Sequence, residues 1–284
     1  MTVRKLEYGD WAFVHKMTTI ENWNDRIEDI RRMFDCEPNG SFVAEVAGQA
    51  VGHVFTIEYG KLGWVGLLIV TKEYRRKGIG RLLTEKARDH LLNERTKTVK
   101  LEAVPTISDL YRKLGFVDEY DSLRFVGTAK KVSSVKSRSV TLMNRGTMAD
   151  LARFDATFFG ADRTKVLSRL HEEFPQLCLV SRCGSEINGY ITCRIAESGY
   201  KLGPWVCDPG NIEVARDLLM ACLCRLEPKS KVYVGVPAVN LSAVEILKEI
   251  DFQQYSKSIR MWFGERLQNE CVGGIFAICS PMKG

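Results

Sequence analysis

No apolar run in the 284 residues reaches the roughly 18–20 needed to cross a bilayer. The opening stretch, MTVRKLEYGDW, lacks the apolar core of a secretory signal. Cysteine is present, but its usual patterns are not. There are nine, an odd number, with no CxxC and no Cys/His ligand spacing. They give no disulfide framework and no metal site, and read as reduced thiols of a cytoplasmic protein, with a nuclear one as the alternative. Cys222 and Cys224 would face different sides of a helix and make a poor metal pair. No Ser-His-Asp or Cys-His arrangement surrounds His15, His53, His90 or His171, which argues against a covalent acyl-enzyme. The phosphate-loop pattern GxxxxGK[ST] and the dinucleotide pattern GxGxxG are both missing. The net charge of +6 is modest and comes with no helix-turn-helix, zinc-finger or aromatic-basic sheet signature, so nucleic acid is not the expected partner.

What is there begins with length, which suits two domains of roughly 100–150 residues. Residues 1–139 carry 24 Lys and Arg against 19 Asp and Glu, or +5, and the remainder, 17 against 16, carries +1. In the first half Asp10 can cap a helix bearing Trp11, Val14 and Met17, and Asp25 with Glu28 suggests a capping box before IEDIRRMF. The period then changes to two. SFVAEVAG and AVGHVFTIEY read as a hairpin about Gly48-Gln49, and GWVGLLIV (63–70) as a buried central strand. A helix bearing Ile79, Leu82, Leu83, Ala87 and Leu91 follows, then strand TVKLEAV, helix TISDLYRKLGF ending at Gly115, and FVDEYDSLRFVG as a closing hairpin. TAKKVSSVKSRS has no core pattern and reads as a linker. This sets domains at 1–128 and 140–284, joined by residues 129–139. The second half repeats the order of the first: KLEAVPTISDLYRKLGF and KVYVGVPAVNLSAVEILKEIDF are each strand, VP, helix, aromatic, as an internal duplication predicts.

Between the central strand and its helix lies VTKEYRRKGIGRLL. A buried strand feeding a glycine turn and a helix start is suited to a phosphate. The first helical amides have no internal partner, the helix dipole adds positive potential, and Gly78 and Gly80 admit close backbone approach. Arg75, Arg76 and Lys77 add charge. A basic surface turn or a nuclear-import run is the plainer reading of the loop taken alone.

These residues resemble the acetyl-coenzyme A loop of the GNAT acetyltransferases, [RQ]-x-x-G-x-[GA], with Arg75, Gly78 and Gly80 at its defined positions. LYRKLGF (110–116) is similar to the family's later LYxKxGF element at the usual separation. The resemblance covers residues 1 to about 128 and implies an α/β fold: two tandem GNAT-like domains, each a twisted, mixed, mainly antiparallel sheet with flanking helices and a splayed central strand. It also implies that the amides of Arg76, Lys77, Gly78, Ile79, Gly80 and Arg81 wrap the pyrophosphate of acetyl-CoA. Leu68, Ile69 and Val70 would pair with the pantetheine arm, and Tyr111 would lie beside the thioester sulfur. The family's Asn seven residues before that tyrosine is Val104 here, and Ser108 is the candidate substitute.

The implied reaction is direct attack of a primary amine, on a small molecule or a lysine, with a main-chain amide of Ile69 or Val70 stabilising the oxyanion and Tyr111 as general acid. A lysine-type amine, pKa about 10.4, is neutral in only about one molecule in a few thousand at pH 7, so a base is expected. Glu102 and Glu21 are the candidates, with structural roles as the alternative for each. The second half resembles a degenerate domain of the same family. DPGNIEVA replaces the basic glycine loop, Leu247 stands at the position of Tyr111, and Asn240 keeps the asparagine. Asp162, Arg163, Trp205 and Arg260 are candidate acceptor contacts, or else an internal ion pair and a packed tryptophan. Two other classes stay open: a non-catalytic acyl-CoA sensor, and a basic nuclear adaptor.

Overall fold

The computed structural model describes residues 1–93, 95–129 and 139–284, so the expected linker falls, apart from its end residues, outside the described residues. Contacts divide the chain into two units: Met1–Glu119 with Ile259–Arg266 and Pro281–Gly284, and Tyr120–Ser258 with Leu267–Ser280. Neither follows the boundaries at 128 and 140, because strands late in each half complete the sheet of the other unit. Among the described residues no helix is long and apolar enough to cross a membrane.

The first half runs β1 (Thr2–Lys5), α1 (Trp11–Ile20), α2 (Ile27–Cys36), β2 (Phe42–Val46), β3 (Gln49–Tyr59), β4 (Leu62–Val70), α3 (Ile79–Asn93), β5 (Thr98–Ala103), α4 (Ser108–Lys113) and β6 (Val117–Thr128). The second half runs β7 (Val140–Leu142), α5 (Met148–Phe159), α6 (Thr164–Glu173), β8 (Cys178–Cys183), β9 (Glu186–Ile195), β10 (Tyr200–Cys207), α7 (Ile212–Leu223), β11 (Lys231–Pro237), α8 (Leu241–Glu249) and β12 (Gln253–Gly264), then adds β13 (Ile275–Ala277). The order of strands and α-helices repeats element for element up to β12, as the duplicated sequence pattern predicts. The strand pairing in each unit is mixed: β4 and β5 are parallel, as are β10 and β11, while β1–β2, β2–β3, β3–β4, β5–β12, β6–β11, β7–β8, β8–β9, β9–β10 and β10–β13 are antiparallel.

Three local expectations change. The segment read as a closing hairpin is the single strand β6, whose Ser122–Thr128 pair with Pro237–Lys231 of β11. No residue in 117–128 takes the left-handed backbone a tight turn needs. Asp10 does not cap α1; its carboxylate accepts from Arg4 at 2.7 and 2.8 Å and from the Glu7 amide at 2.8 Å. At α2 it is Asp29, not Glu28, that reaches back, accepting from the Arg26 amide at 3.3 Å. The β2–β3 turn is Ala47-Gly48, both left-handed, which a two-residue hairpin favours.

In unit 1, α3 packs on one sheet face through Ile79, Leu83, Ala87 and Leu91 against Val54, Val65, Val99, Leu101 and Met261. Strand alternation turns Trp64, Glu102 and Arg260 to the other face. There the end of β12 pairs with β5, setting Arg260 opposite Glu102. The guanidinium donates to Glu102 at 2.9 Å and lies 4.7 Å from the centre of the Trp64 ring, with both charged side chains buried. Removing one member of such a pair leaves a charge in the interior, whereas removing both need not destabilise. Arg260→Leu is expected to cost about 3–5 kcal/mol in urea unfolding, and Arg260→Leu with Glu102→Leu to recover most of it.

His53 on β3 is wholly buried, edge-on to Phe13 and Phe55 at 5.8 and 5.9 Å. Among the described residues neither ring nitrogen has a partner at hydrogen-bonding geometry. Desolvation holds its pKa down at about 3, against the smaller opposing effects of the Leu67 backbone and Asp10. The unfolded chain therefore takes up a proton below about pH 6.5 that the folded chain refuses until about pH 3, and stability falls as pH falls through that window. His53→Phe should flatten the loss of stability between pH 6.5 and 4, where the slope from this group is at most about 1.4 kcal/mol per pH unit. Denaturant midpoints taken across that range test it.

Candidate active site

β4 and β5 pair in parallel at Leu62–Val65 against Thr98–Leu101, and then separate. β5 continues against β12 through Glu102 and Ala103. β4 continues against β3, with a register shift between His53 and Phe55. The extra residue is accommodated at Leu67, whose φ of 50° is left-handed. A bulge of this kind bends the strand and re-aims its main-chain groups. It opens a splay between β4 and β5, as the resemblance implied, beside Leu68, Ile69 and Val70.

The basic loop follows directly. Tyr74 and Arg75 close a short turn onto Thr71 and Lys72, then Arg76 and Gly78 turn left-handed at φ 61° and 82°. Leu82 donates to the Gly78 carbonyl at 3.0 Å as α3 begins. Among the described residues, the amides from Arg76 through Arg81 donate to no other atom. A β-carbon on Gly78 would meet nothing within 4 Å, and one on Gly80 would lie 3.6 Å from Leu110 of α4 and 3.9 Å from Val70. Aligned, unpartnered amides at the start of a 15-residue helix are donors that an anion could accept from. The cationic side chains divide. Arg75 is committed, donating to the Val70 carbonyl at 2.8 Å and to Glu21 at 2.5 Å, so it fastens the loop to the end of β4. Lys77 stands 4.9 Å over the Tyr74 ring, and Arg81 pairs with Glu85 at 3.0 Å.

Tyr111, on α4, packs in the same cluster as Ile79, Leu83 and Ala103, 6.0 Å from the Phe116 ring. Gly115, at φ 87°, ends this helix, and Phe116 donates back to the Tyr111 carbonyl at 3.0 Å. Burial alone raises the pKa of the phenol far above its ordinary value, with no charge or hydrogen bond contributing, so the group keeps its proton. Ser108 is spoken for. It donates to the Pro105 carbonyl at 2.9 Å and accepts from Arg112 at 3.1 Å. Both candidate bases already accept from guanidinium groups, Glu102 from Arg260 and Glu21 from Arg75.

In unit 2 the candidate acceptor contacts divide: Arg163 and Trp205 are buried against interior partners, and Asp162 is exposed. Arg163 bonds Asp155 at 2.7 and 2.8 Å, lies 4.1 Å from the Phe159 ring, and reaches Tyr190 at 3.3 Å. Trp205 is buried 5.0 Å from Phe276, and Asp162 accepts from the Thr164 amide at 2.8 Å. Arg260 lies in the other unit.

The two equivalent loops differ in the way their composition predicts. Before α7, Asp208 accepts from the Gly210 amide at 3.2 Å and the Asn211 side chain at 3.4 Å, so a carboxylate occupies the place of an anion. β10 and β11 also separate, after Leu202 and Val234, but here β13 enters the gap. It pairs with Trp205 and Val206, and Ile278 donates to the Gly235 carbonyl at 2.9 Å. Asn240, the retained asparagine, holds that segment by donating to the carbonyls of Gly273 and Ile275 at 3.0 and 2.9 Å. The left-handed Leu67 and the nearby His53 carry no signal legible in the sequence, since leucine favours no such backbone; VGGIFAICS reads as a final strand, as β13 is, but its place in this gap is not legible.

Two family models match the chain, each described as an acetyltransferase (GNAT) domain, over residues 12–128 and 151–277. The holothin acyltransferase of Pseudoalteromonas sp. (strain SANK 73390) is 24% identical over 270 residues, covering 95% of this chain and 90% of that protein. A Pyrococcus horikoshii protein described as an acetyltransferase has the same fold, with a TM-score of 0.84 at 23% identity, covering 100% of this chain and 95% of that one. A tandem GNAT protein from the clavulanic acid biosynthesis pathway aligns at a TM-score of 0.61 and 12% identity over 93% and 98% of the two chains. Two matched domains, one on each half of a duplicated element order, make this chain a tandem member of the GNAT family and an acyltransferase of that type.

Proposed function

We propose that unit 1 transfers an acetyl group from acetyl-CoA to a primary amine, on a small molecule or a lysine, by direct attack, and that unit 2 is catalytically silent. The observation that carries this reading is the run of unpartnered amides from Arg76 to Arg81 beside the β4–β5 splay. Bound acetyl-CoA supplies a thioester whose carbonyl takes up the amine and whose sulfur departs. The loop amides hold the diphosphate, with Arg76 and Lys77 adding charge and Arg75 keeping the loop on β4. Leu68, Ile69 and Val70 offer main-chain groups along the splay, and an amide of Ile69 or Val70 stabilises the developing oxyanion. Tyr111 gives its proton to the departing sulfur; an acid that burial keeps protonated suits that step. Glu102 and Glu21 stay in their ion pairs, and neither is assigned the base; the amine would attack in its neutral form, and the proton its nitrogen sheds would return to the Tyr111 oxygen. Unit 2 would hold no cofactor, since Asp208 repels phosphate and β13 fills the gap.

Tyr111→Phe should lower kcat by about 10²–10⁴-fold while the thermal shift given by coenzyme A stays unchanged; equal rates for the two proteins would remove the acid role. Arg75→Ala with Arg76→Ala should abolish that thermal shift, and Gly78→Val, which forces a β-branched residue to φ 82°, should weaken it strongly. Full stabilisation retained in both would mean the ligand sits elsewhere, unit 2 included.

A further inference from the structure

Unit 1 contains a short piece of chain that the proposed chemistry does not use. Pro281–Gly284 belongs to this unit although it lies more than 200 residues beyond β4 in sequence. It is laid across the first half of β4 and the end of β3. The Trp64 indole N–H donates to the Pro281 carbonyl at 3.0 Å, and the Tyr59 hydroxyl donates to the Lys283 carbonyl at 3.0 Å. Between these anchors the backbone of Met282 lies so close to Gly66 that a β-carbon there would stand 2.7 Å from its carbonyl oxygen and 2.8 Å from its Cα. Real β-carbons essentially never come so near, so the glycine is what admits the strap. Met282 and Lys283 are buried at 3% and 0% exposure.

The position matters because Gly66 immediately precedes the left-handed Leu67, where β4 bends away from β5. On the α3 face of this splay, Ile79, Leu83 and Tyr111 are packed together. An amine reaching a thioester held in the splay must therefore come from the opposite face, the one that carries Trp64 and Gly66. That face is where the strap lies. Its neighbours there are fixed as well: Arg260, bound to Glu102, rests on the same Trp64 ring. Trp64 thus supports the strap through its N–H and the ion pair through its ring.

We propose that Pro281–Gly284 forms one wall of the acceptor passage in unit 1, seated by Gly66, Trp64 and Tyr59, and limits the bulk of the amine that reaches the bulge. The proposal rests on the acetyl-transfer reading above. The strap acts on what the acceptor may be, and leaves the diphosphate site untouched, since the loop from Arg76 to Arg81 makes no hydrogen bond to it.

The test uses coenzyme A conjugates in which an acetyl bridge joins the sulfur to methylamine or to benzylamine, so that no turnover is required. Affinities are measured by calorimetry for the full chain, for Gly66→Ala, which forces the strap outward, and for Met282→Ala, which thins it without altering the strand. Both variants should bind coenzyme A itself as the unaltered chain does. The preference for the benzyl over the methyl conjugate should rise by about tenfold or more in each, the scale expected when a pocket gains room for a few carbon atoms. Unchanged preference in both, with coenzyme A still bound, overturns the wall while leaving acetyl transfer standing. Failure of the unaltered chain to bind coenzyme A overturns the acetyl-transfer reading and the wall with it. A rise in affinity for both conjugates alike would make the strap a general obstruction and also overturns the proposal. Should Gly66→Ala not fold, Met282→Ala decides alone.

Discussion

Two parallel strands that part after four residue pairs leave main-chain donors and acceptors without their sheet partners. A protein cannot leave such groups buried and unpaired, so the gap must be filled by water, ligand or more chain. Unit 1 keeps the parting of β4 and β5 beside an amide-rich loop. The bulge at Leu67 aims the strand, and Arg75 ties its end to the loop through the Val70 carbonyl. The pieces that follow, α3 with its free amides and α4 with Tyr111, are packed around that one opening through a shared apolar cluster.

Unit 2 shows the same parting resolved the other way. β13 supplies the missing strand, Asn240 holds the incoming segment by two carbonyls, and the Asp208 carboxylate accepts from the Gly210 amide. In the duplicated half the chain itself thus fills the parting. Its buried charges follow the same logic: Arg163 and Asp155 satisfy each other beneath Phe159, with the Tyr190 hydroxyl donating to the same carboxylate. In unit 1 the Arg260–Glu102 pair is arranged likewise against Trp64. Interior pairs of this kind are costly to desolvate and valuable mainly in fixing register. Here Arg260 and Glu102 stand directly opposite each other across β12 and β5, a pairing that a one-residue slip would destroy.

Most elements were legible in the sequence because each carries its own signal. The α5 and α6 helices follow from apolar spacing in MADLARFDATFF and TKVLSRLHEEF, and the turn at Gly184 from its place between two alternating runs. The basic glycine loop was legible as a turn because its requirements are local: glycine where φ is positive, cations beside it, and a helix behind. What was not legible was pairing at long range. VDEYDSLRFVG has enough polar residues to suggest a turn, yet β11 gives it a full strand's worth of partners. Asp10 and Glu28 were plausible caps, but Arg4 and Asp29 offered better geometry. Arg260 could be read as an acceptor contact or as part of an internal ion pair, and Glu102 standing opposite it on β5 gives it the ion pair.

Most of the element order, the duplication and the composition of the basic glycine loop are written in short stretches of chain, since these depend on neighbours within a few turns. Which strands join which unit, which carboxylates are already paired, and the seat of residues 281–284 against β4 are settled by long-range packing. The reason is physical. Backbone propensity and periodicity act over short separations, whereas a buried charge or an unpaired strand edge takes the partner that packing brings, however distant it is along the chain.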